Sequence, residues 1–240
     1  RIIDHTKLFS GPFQWRSTDN DGVRRQLILS NEVILKHREA FSNYNMVRMR
    51  EALRYFSKEK LQIFLKIPFL LHINVPGYPG FVRTRSSPYG IWQFDQTGFF
   101  KEAVLRKYFP KSIVENATVK DPAIIGLYHI GSLGTFTQSD GSDFDYWVLI
   151  DRRRFSNERL ASLGKKMDAV KAFSLDKYDQ KVSFFVMDYR EVRQNRYGTA
   201  ENNESLLAPR IFLKEEFYRT FMMIAGKIPL WAVLPHELTC

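Results

Sequence analysis

The chain holds 240 residues with 36 Lys+Arg against 26 Asp+Glu, a formal net charge of +10, and 44% of it is apolar, enough to bury a core and to exclude a largely disordered protein. Its longest apolar run, Ile67 to Ile73, is broken by Pro68 and His72 and falls far short of the roughly 20 residues of a membrane-spanning helix. The lone cysteine, Cys240, excludes a disulfide framework and any cysteine-based zinc or redox motif; it fits a cytoplasmic setting, with no secretory leader expected and the chain read as a piece of a longer polypeptide.

Residues 1–30 carry few periodic signals and are expected to be a lead-in without defined structure. Met46, Met49, Leu53 and Phe56 then fall at helical spacing between arginines, which predicts an amphipathic helix with these residues in the core. A second helix is expected to start at Ser57, with Glu59 in its first turn, and to stop at Pro68. The segment 76–98 is punctuated by Pro76, Gly77, Pro79, Gly80, Pro88, Gly90 and Gly98 and reads as loop, with Arg83 and Arg85 in reach of an anionic ligand. A short helix follows over Phe99 to Tyr108.

Beyond residue 121 the period turns strand-like. Strands are predicted over Ile124 to Ile130, Asp143 to Ile150 and Lys181 to Met187. Leu160, Leu163, Met167 and Val170 mark an intervening helix, and Phe217, Phe221 and Ile224 a last one. The expected fold is therefore α+β: a mainly helical region over 1–120, which holds the whole charge excess, packed on a mixed-sheet core over 121–240.

The chemistry concentrates between Ile130 and Asp151. Gly131-Ser132 directly follows a strand, where backbone N–H groups and a hydroxyl can cradle a phosphate. Ten residues later come Asp143 and Asp145, which strand alternation places on one face with Trp147, opposite Phe144, Tyr146 and Val148. Two carboxylates on one face repel unless a cation neutralises them, and hard oxygen donors suit Mg²⁺ or Mn²⁺, singly or as a pair. The bland alternative is an edge-strand pair neutralised by Arg152, Arg153 and Arg154. The five histidines show no metal-ligand spacing, and His129 reads as a hydrogen-bonded core residue. Ala225-Gly226-Lys227 is not a P-loop, because Phe221 stands where its first glycine belongs and Ile228 follows the lysine.

Gly-Ser, a gap of about ten residues and Asp-x-Asp resemble the signature of the DNA polymerase β-like nucleotidyltransferases. Within it, Gly131-Ser132, Gln138-Ser139, Ser142-Asp143, Asp145 and Trp147-Val148, with the later blocks VSFFVMD and EEFYRTFMMIAGKIPLW, resemble the catalytic domain of class I adenylate cyclases of the enterobacterial type. The resemblance covers roughly residues 60 to 235. It implies a nucleotidyltransferase-like sheet and conversion of ATP to cyclic AMP and pyrophosphate. Asp143 and Asp145 would hold Mg²⁺ or Mn²⁺, Gly131, Ser132 and Ser142 would line the nucleotide, and Arg219 and Lys227 would contact phosphate. Where the family resemblance implies a third carboxylate, this chain has Lys181, with Asp179 as the substitute ligand, and Tyr89 stands where a lysine is expected.

Three functions follow as expectations. The first is an adenylate cyclase with ATP as its partner and a regulatory domain or partner beyond Cys240. The second is a nucleotidyltransferase whose basic first half holds another anionic acceptor, nucleic acid not being the expected one. The third is a catalytically degenerate nucleotide-binding or interaction module, motivated by Lys181 and Tyr89.

Overall fold

The computed structural model describes residues 13–18, 24–29, 31–84, 87–97, 100, 102–131, 142–193, 217 and 219–229. The backbone divides into two compact units, Arg1–Val47 with Lys227–Cys240, and Arg48–Gly226.

In the first unit, β1 (Phe13–Thr18) and β2 (Arg24–Leu29) pair antiparallel, Phe13 opposite Leu29 and Thr18 opposite Arg24, where the sequence suggests only a lead-in. Helix α1 (Asn31–Leu53) follows, and its last turns belong to the second unit.

The second unit carries the core. Helix α2 (Lys58–His72) starts as expected: the Ser57 hydroxyl accepts the N–H of Lys60. It does not stop at Pro68, which lies inside it and is buried. An internal proline costs about 3 kcal/mol, but the turn beyond it buries Phe69, Leu70 and Leu71, each worth about 1.5–3 kcal/mol, so burial wins. His72 then ties the helix end to the irregular segment that follows. Its Nε2–H donates to the Ala117 carbonyl (2.8 Å), its Nδ1 accepts the Ile91 N–H (3.0 Å), and its ring stacks on Phe94 at 4.4 Å. Burial pushes this imidazole down to about 4, which keeps it neutral. As expected, 76–84 and 87–93 are irregular; the predicted helix over 99–108 shrinks to α3 (Glu102–Leu105), and α4 (Lys111–Glu115) follows.

A four-stranded mixed sheet has the order β5-β4-β3-β6. β3 (Ile124–Ile130) and β4 (Phe144–Ile150) are antiparallel; β4 and β5 (Val182–Asp188) are parallel, joined by α5 (Asn157–Tyr178), with α6 (Tyr189–Arg193) after β5. Parallel neighbours need such a crossover helix. Phe144, Tyr146 and Val148 of β4 enter the core with Phe64 of α2 and Leu163, Met167 and Val170 of α5. Phe144 meets Phe56 and Phe64 at 5.7 and 5.5 Å. On the other face Trp147 stacks on Phe217 at 4.4 Å.

The last element corrects the reading of a helix through Phe217, Phe221 and Ile224. Among the described residues, Phe217, Arg219 and Thr220 are helical, and β6 (Met222–Gly226) follows, pairing antiparallel with β3. A short apolar run satisfies either period, and here the ladder with β3 decides. Gly126 opposes Gly226, whose φ is +112° and whose added Cβ would lie 2.5 Å from the Gly126 Cα, so only glycine allows this approach. Among the described residues, no helix is long and apolar enough to cross a membrane.

Candidate active site

The start of β4 is the centre of the site. β4 is an inner strand, flanked by β5 and β3, which overturns the edge-strand alternative for its aspartates. Asp143 is exposed just before the strand. Asp145 is half-buried within it, paired with Ile130 of β3 and Ser183 of β5. Burial holds the Asp145 carboxyl above the ordinary aspartate range, a hydrogen bond with Ser183 opposes this, and the nearby Asp143 adds to it. Among the described residues, no lysine or arginine forms an ion pair with either carboxylate. The arginines proposed to neutralise them sit at the far end of β4, where Arg153 pairs with Asp151 at 3.1 Å and Arg154 with Asp121.

Gly131 ends β3 with φ at +91°, one residue past the register partner of Asp145. Its N–H donates to the Thr220 hydroxyl at 2.9 Å, so this donor is engaged within the protein. Ser132, Gln138, Ser139 and Arg85 lie outside the described residues. Arg219 is exposed in the helical turn beside Thr220, one residue from the Gly131 contact, and Arg83 is exposed on its loop. Lys227 directly follows β6 and is assigned to the first compact unit.

Ser142 presents its carbonyl to two donors, Lys60 Nζ and Gln180 Nε2, each at 3.1 Å. Lys181 directly precedes Val182, the register partner of Phe144, and its carbonyl accepts the Phe144 N–H at 3.0 Å. It therefore stands beside Asp143 in the parallel ladder. Asp179, the substitute ligand expected from the resemblance, is not on β5. It caps α5 in the left-handed conformation (φ +50°), its N–H donating to the Leu175 and Ser174 carbonyls, and it is exposed. His129 is wholly buried among Phe64, Phe144 and Tyr146, but both its ring nitrogens lack a hydrogen-bond partner, unlike the satisfied core residue expected. Burial lowers it to about 3.

The donor set fits one divalent cation. Asp143 and Asp145 supply hard oxygens with uncompensated charge, and no cluster of three or more His, Cys, Asp or Glu that could hold a metal occurs among the described residues. Magnesium is commonly held by one or two carboxylates, its other positions filled by water and substrate phosphate.

The family model for the adenylate cyclase NT domain matches residues 34–232. The adenylate cyclase of Pasteurella multocida (strain Pm70) is 32% identical over 199 residues, covering 80% of this chain and 23% of the relative. That of Haemophilus influenzae (strain ATCC 51907 / DSM 11121 / KW20 / Rd) is 29% identical over 177 residues (69% and 20%), and that of Escherichia coli (strain K12) 29% over 199 residues (80% and 22%). The chain thus spans about a fifth to a quarter of these relatives. No solved structure matches the chain.

Proposed function

Because the chain belongs to the family of the adenylate cyclase NT domain, we propose that it carries the site at which ATP is converted to cyclic AMP and pyrophosphate. The observation behind this reading is the pair Asp143 and Asp145 at the start of an inner strand, unpaired with any described cation and with the Asp145 carboxyl held above its ordinary range. In the reaction the ribose 3′-oxygen forms a bond to the α-phosphorus, the bond from that phosphorus to the bridging oxygen of the β-phosphate breaks, and the 3′-hydroxyl proton is lost. A divalent cation held by Asp143 and Asp145 would neutralise phosphate charge and favour the alkoxide. The chain's own share is positioning: an inner strand holds Asp145, whose carboxylate the Ser183 hydroxyl fixes, and Asp143 directly precedes that strand.

Arg219, beside the Thr220–Gly131 contact, is the phosphate-contacting cation of this reading, with Gly131, Ser132 and Ser142 as its further nucleotide contacts. Asp179, at a helix cap, is the weakest candidate ligand. A nucleotidyltransferase-like ancestry of the mixed sheet and a cytoplasmic setting belong to the same proposal.

The test is incubation of the chain with ATP and Mg²⁺ or Mn²⁺, following cyclic AMP and pyrophosphate, beside Asp143→Ala and Asp145→Ala. Cyclic AMP from the parent and none from the variants is the expected result. Pyrophosphate released only when an acceptor is added would identify a transferase instead. ATP binding without turnover would identify the degenerate module that Lys181 beside Asp143 suggests.

A further inference from the structure

A lysine is rarely buried without a purpose, and Lys60 is 5% exposed on the first turn of α2. Its ammonium lies 5.4 Å from the Phe56 ring centre and 5.5 Å from that of Phe144, and it donates to the carbonyl of Ser142. A methionine would fill the same space without desolvating a charge. What the lysine adds is a hold on one carbonyl, the one directly before Asp143. Gln180 reaches that carbonyl from another element. Only 6% exposed, it also donates to the Lys181 carbonyl at 2.9 Å, and its own carbonyl accepts the buried Ser174 hydroxyl at 2.8 Å. The left-handed cap at Asp179 turns the chain so that Gln180 follows α5 at this point.

We infer that Lys60 and Gln180 form a two-sided clamp on the Ser142 carbonyl that sets the position of Asp143, and with it the affinity of the site for a divalent cation. The inference rests on the reading of Asp143 as a metal ligand. Asp143 itself is exposed at the mouth of its strand, next to the bond that the Phe144 N–H donates to the Lys181 carbonyl. In the clamp, helix α2, strand β4 and the α5–β5 turn meet at one oxygen. Lys60 and Gln180 touch neither substrate nor ion and are positioning residues. Partners that orient metal ligands from behind typically alter metal affinity or activity by 10–100-fold when removed.

The test measures Mn²⁺ binding to the chain by the loss of the free-ion electron paramagnetic resonance signal, for the parent, Asp143→Ala, Lys60→Met, Lys60→Arg, Gln180→Met and Lys66→Met. Lys66 lies on the same helix but donates to the Tyr178 hydroxyl, away from Ser142. We expect Lys60→Met and Gln180→Met to weaken Mn²⁺ binding by roughly 10–100-fold with unchanged circular dichroism, Lys60→Arg to recover part of it, and Lys66→Met to leave it unchanged. If Lys60→Met does not fold, Gln180→Met decides, since it removes the opposite side of the clamp. Parent affinity in folded Lys60→Met and Gln180→Met, or an equal loss in Lys66→Met, overturns the clamp while the metal site stands. A parent chain whose Mn²⁺ binding is absent or indifferent to Asp143→Ala overturns the metal reading and the clamp together.

Discussion

The two ends of β4 hold similar residues in opposite states. At the C-terminal end Asp151 pairs with Arg153 at 3.1 Å and lies 3.8 Å from Arg190, and Arg154 pairs with Asp121. At the N-terminal end Asp143 and Asp145 have no described ion pair, and burial, with the nearby Asp143 adding to it, holds the Asp145 carboxyl high. Charge neutralised by neighbours is structural economy; charge kept uncompensated costs stability and persists where a ligand supplies the missing sign. The comparison locates the site more firmly than the carboxylates alone do, since the chain has arginines within the same strand-turn segment and spends them elsewhere.

The largest test of the comparison is in packing. The N-terminal end is seated by Phe144, 1% exposed against Phe56 and Phe64, so Phe144→Ala should cost about 3–5 kcal/mol in urea unfolding, against about 1 kcal/mol or less for Phe185→Ala on the outer strand, 36% exposed. Next comes chemistry: Asp145→Asn should lower cyclic AMP formation by about a hundredfold or more, while Asp151→Asn, which touches only arginines, should leave it nearly intact. Equal losses from both would break the comparison. The same variant sharpens it without turnover. A raised carboxyl pKa means the folded state binds the proton more tightly than the unfolded one, so the parent loses stability as pH rises from the ordinary aspartate pKa through that of folded Asp145. Asp145→Asn removes this slope, and in thermal melts at pH 7 Mg²⁺ should stabilise the parent and not the variant.

A smaller effect comes from the histidine beneath the strand. His129 falls from 6.5 to about 3 on burial, so the folded state binds fewer protons than the unfolded one, and its contribution is lost as pH drops below 6.5. By pH 5 the loss is about 2 kcal/mol. His129→Phe should flatten that part of the stability profile, and because both ring nitrogens are unpartnered it should cost little at pH 7. The smallest effect belongs to the paired end: Arg153→Ala, 64% exposed, should change unfolding free energy by less than about 1 kcal/mol.

Legibility in the sequence followed the range of the interactions. Strands β3, β4 and β5 are apolar runs bounded by turn residues, and their expected limits agree with the observed ones to within one residue. Pro68 and the run Met222–Gly226 went against local rules because tertiary burial and a distant strand outweigh propensity there. The α+β class and the strands around Asp145 could be read; the contacts of Lys60, Gln180 and Thr220 could not, since nothing near Lys60 in sequence points to Ser142, and nothing near Thr220 points to Gly131. Lys60 reads as one more helix-surface charge until the fold buries it.

The pairing of β6 with β3 has a consequence for how the chain is made. Synthesis runs from the N-terminus, so β3, β4 and β5 are complete while the far side of β3 still lacks its neighbour. Until Met222–Gly226 emerges, β3 is an open edge of the sheet, and its Leu127, Tyr128 and Ile130, all buried in the finished fold, flank an unpaired ladder. A nascent chain or proteolytic fragment ending before Met222 therefore offers a template for intermolecular strand addition, and its fate is aggregation rather than a smaller folded protein.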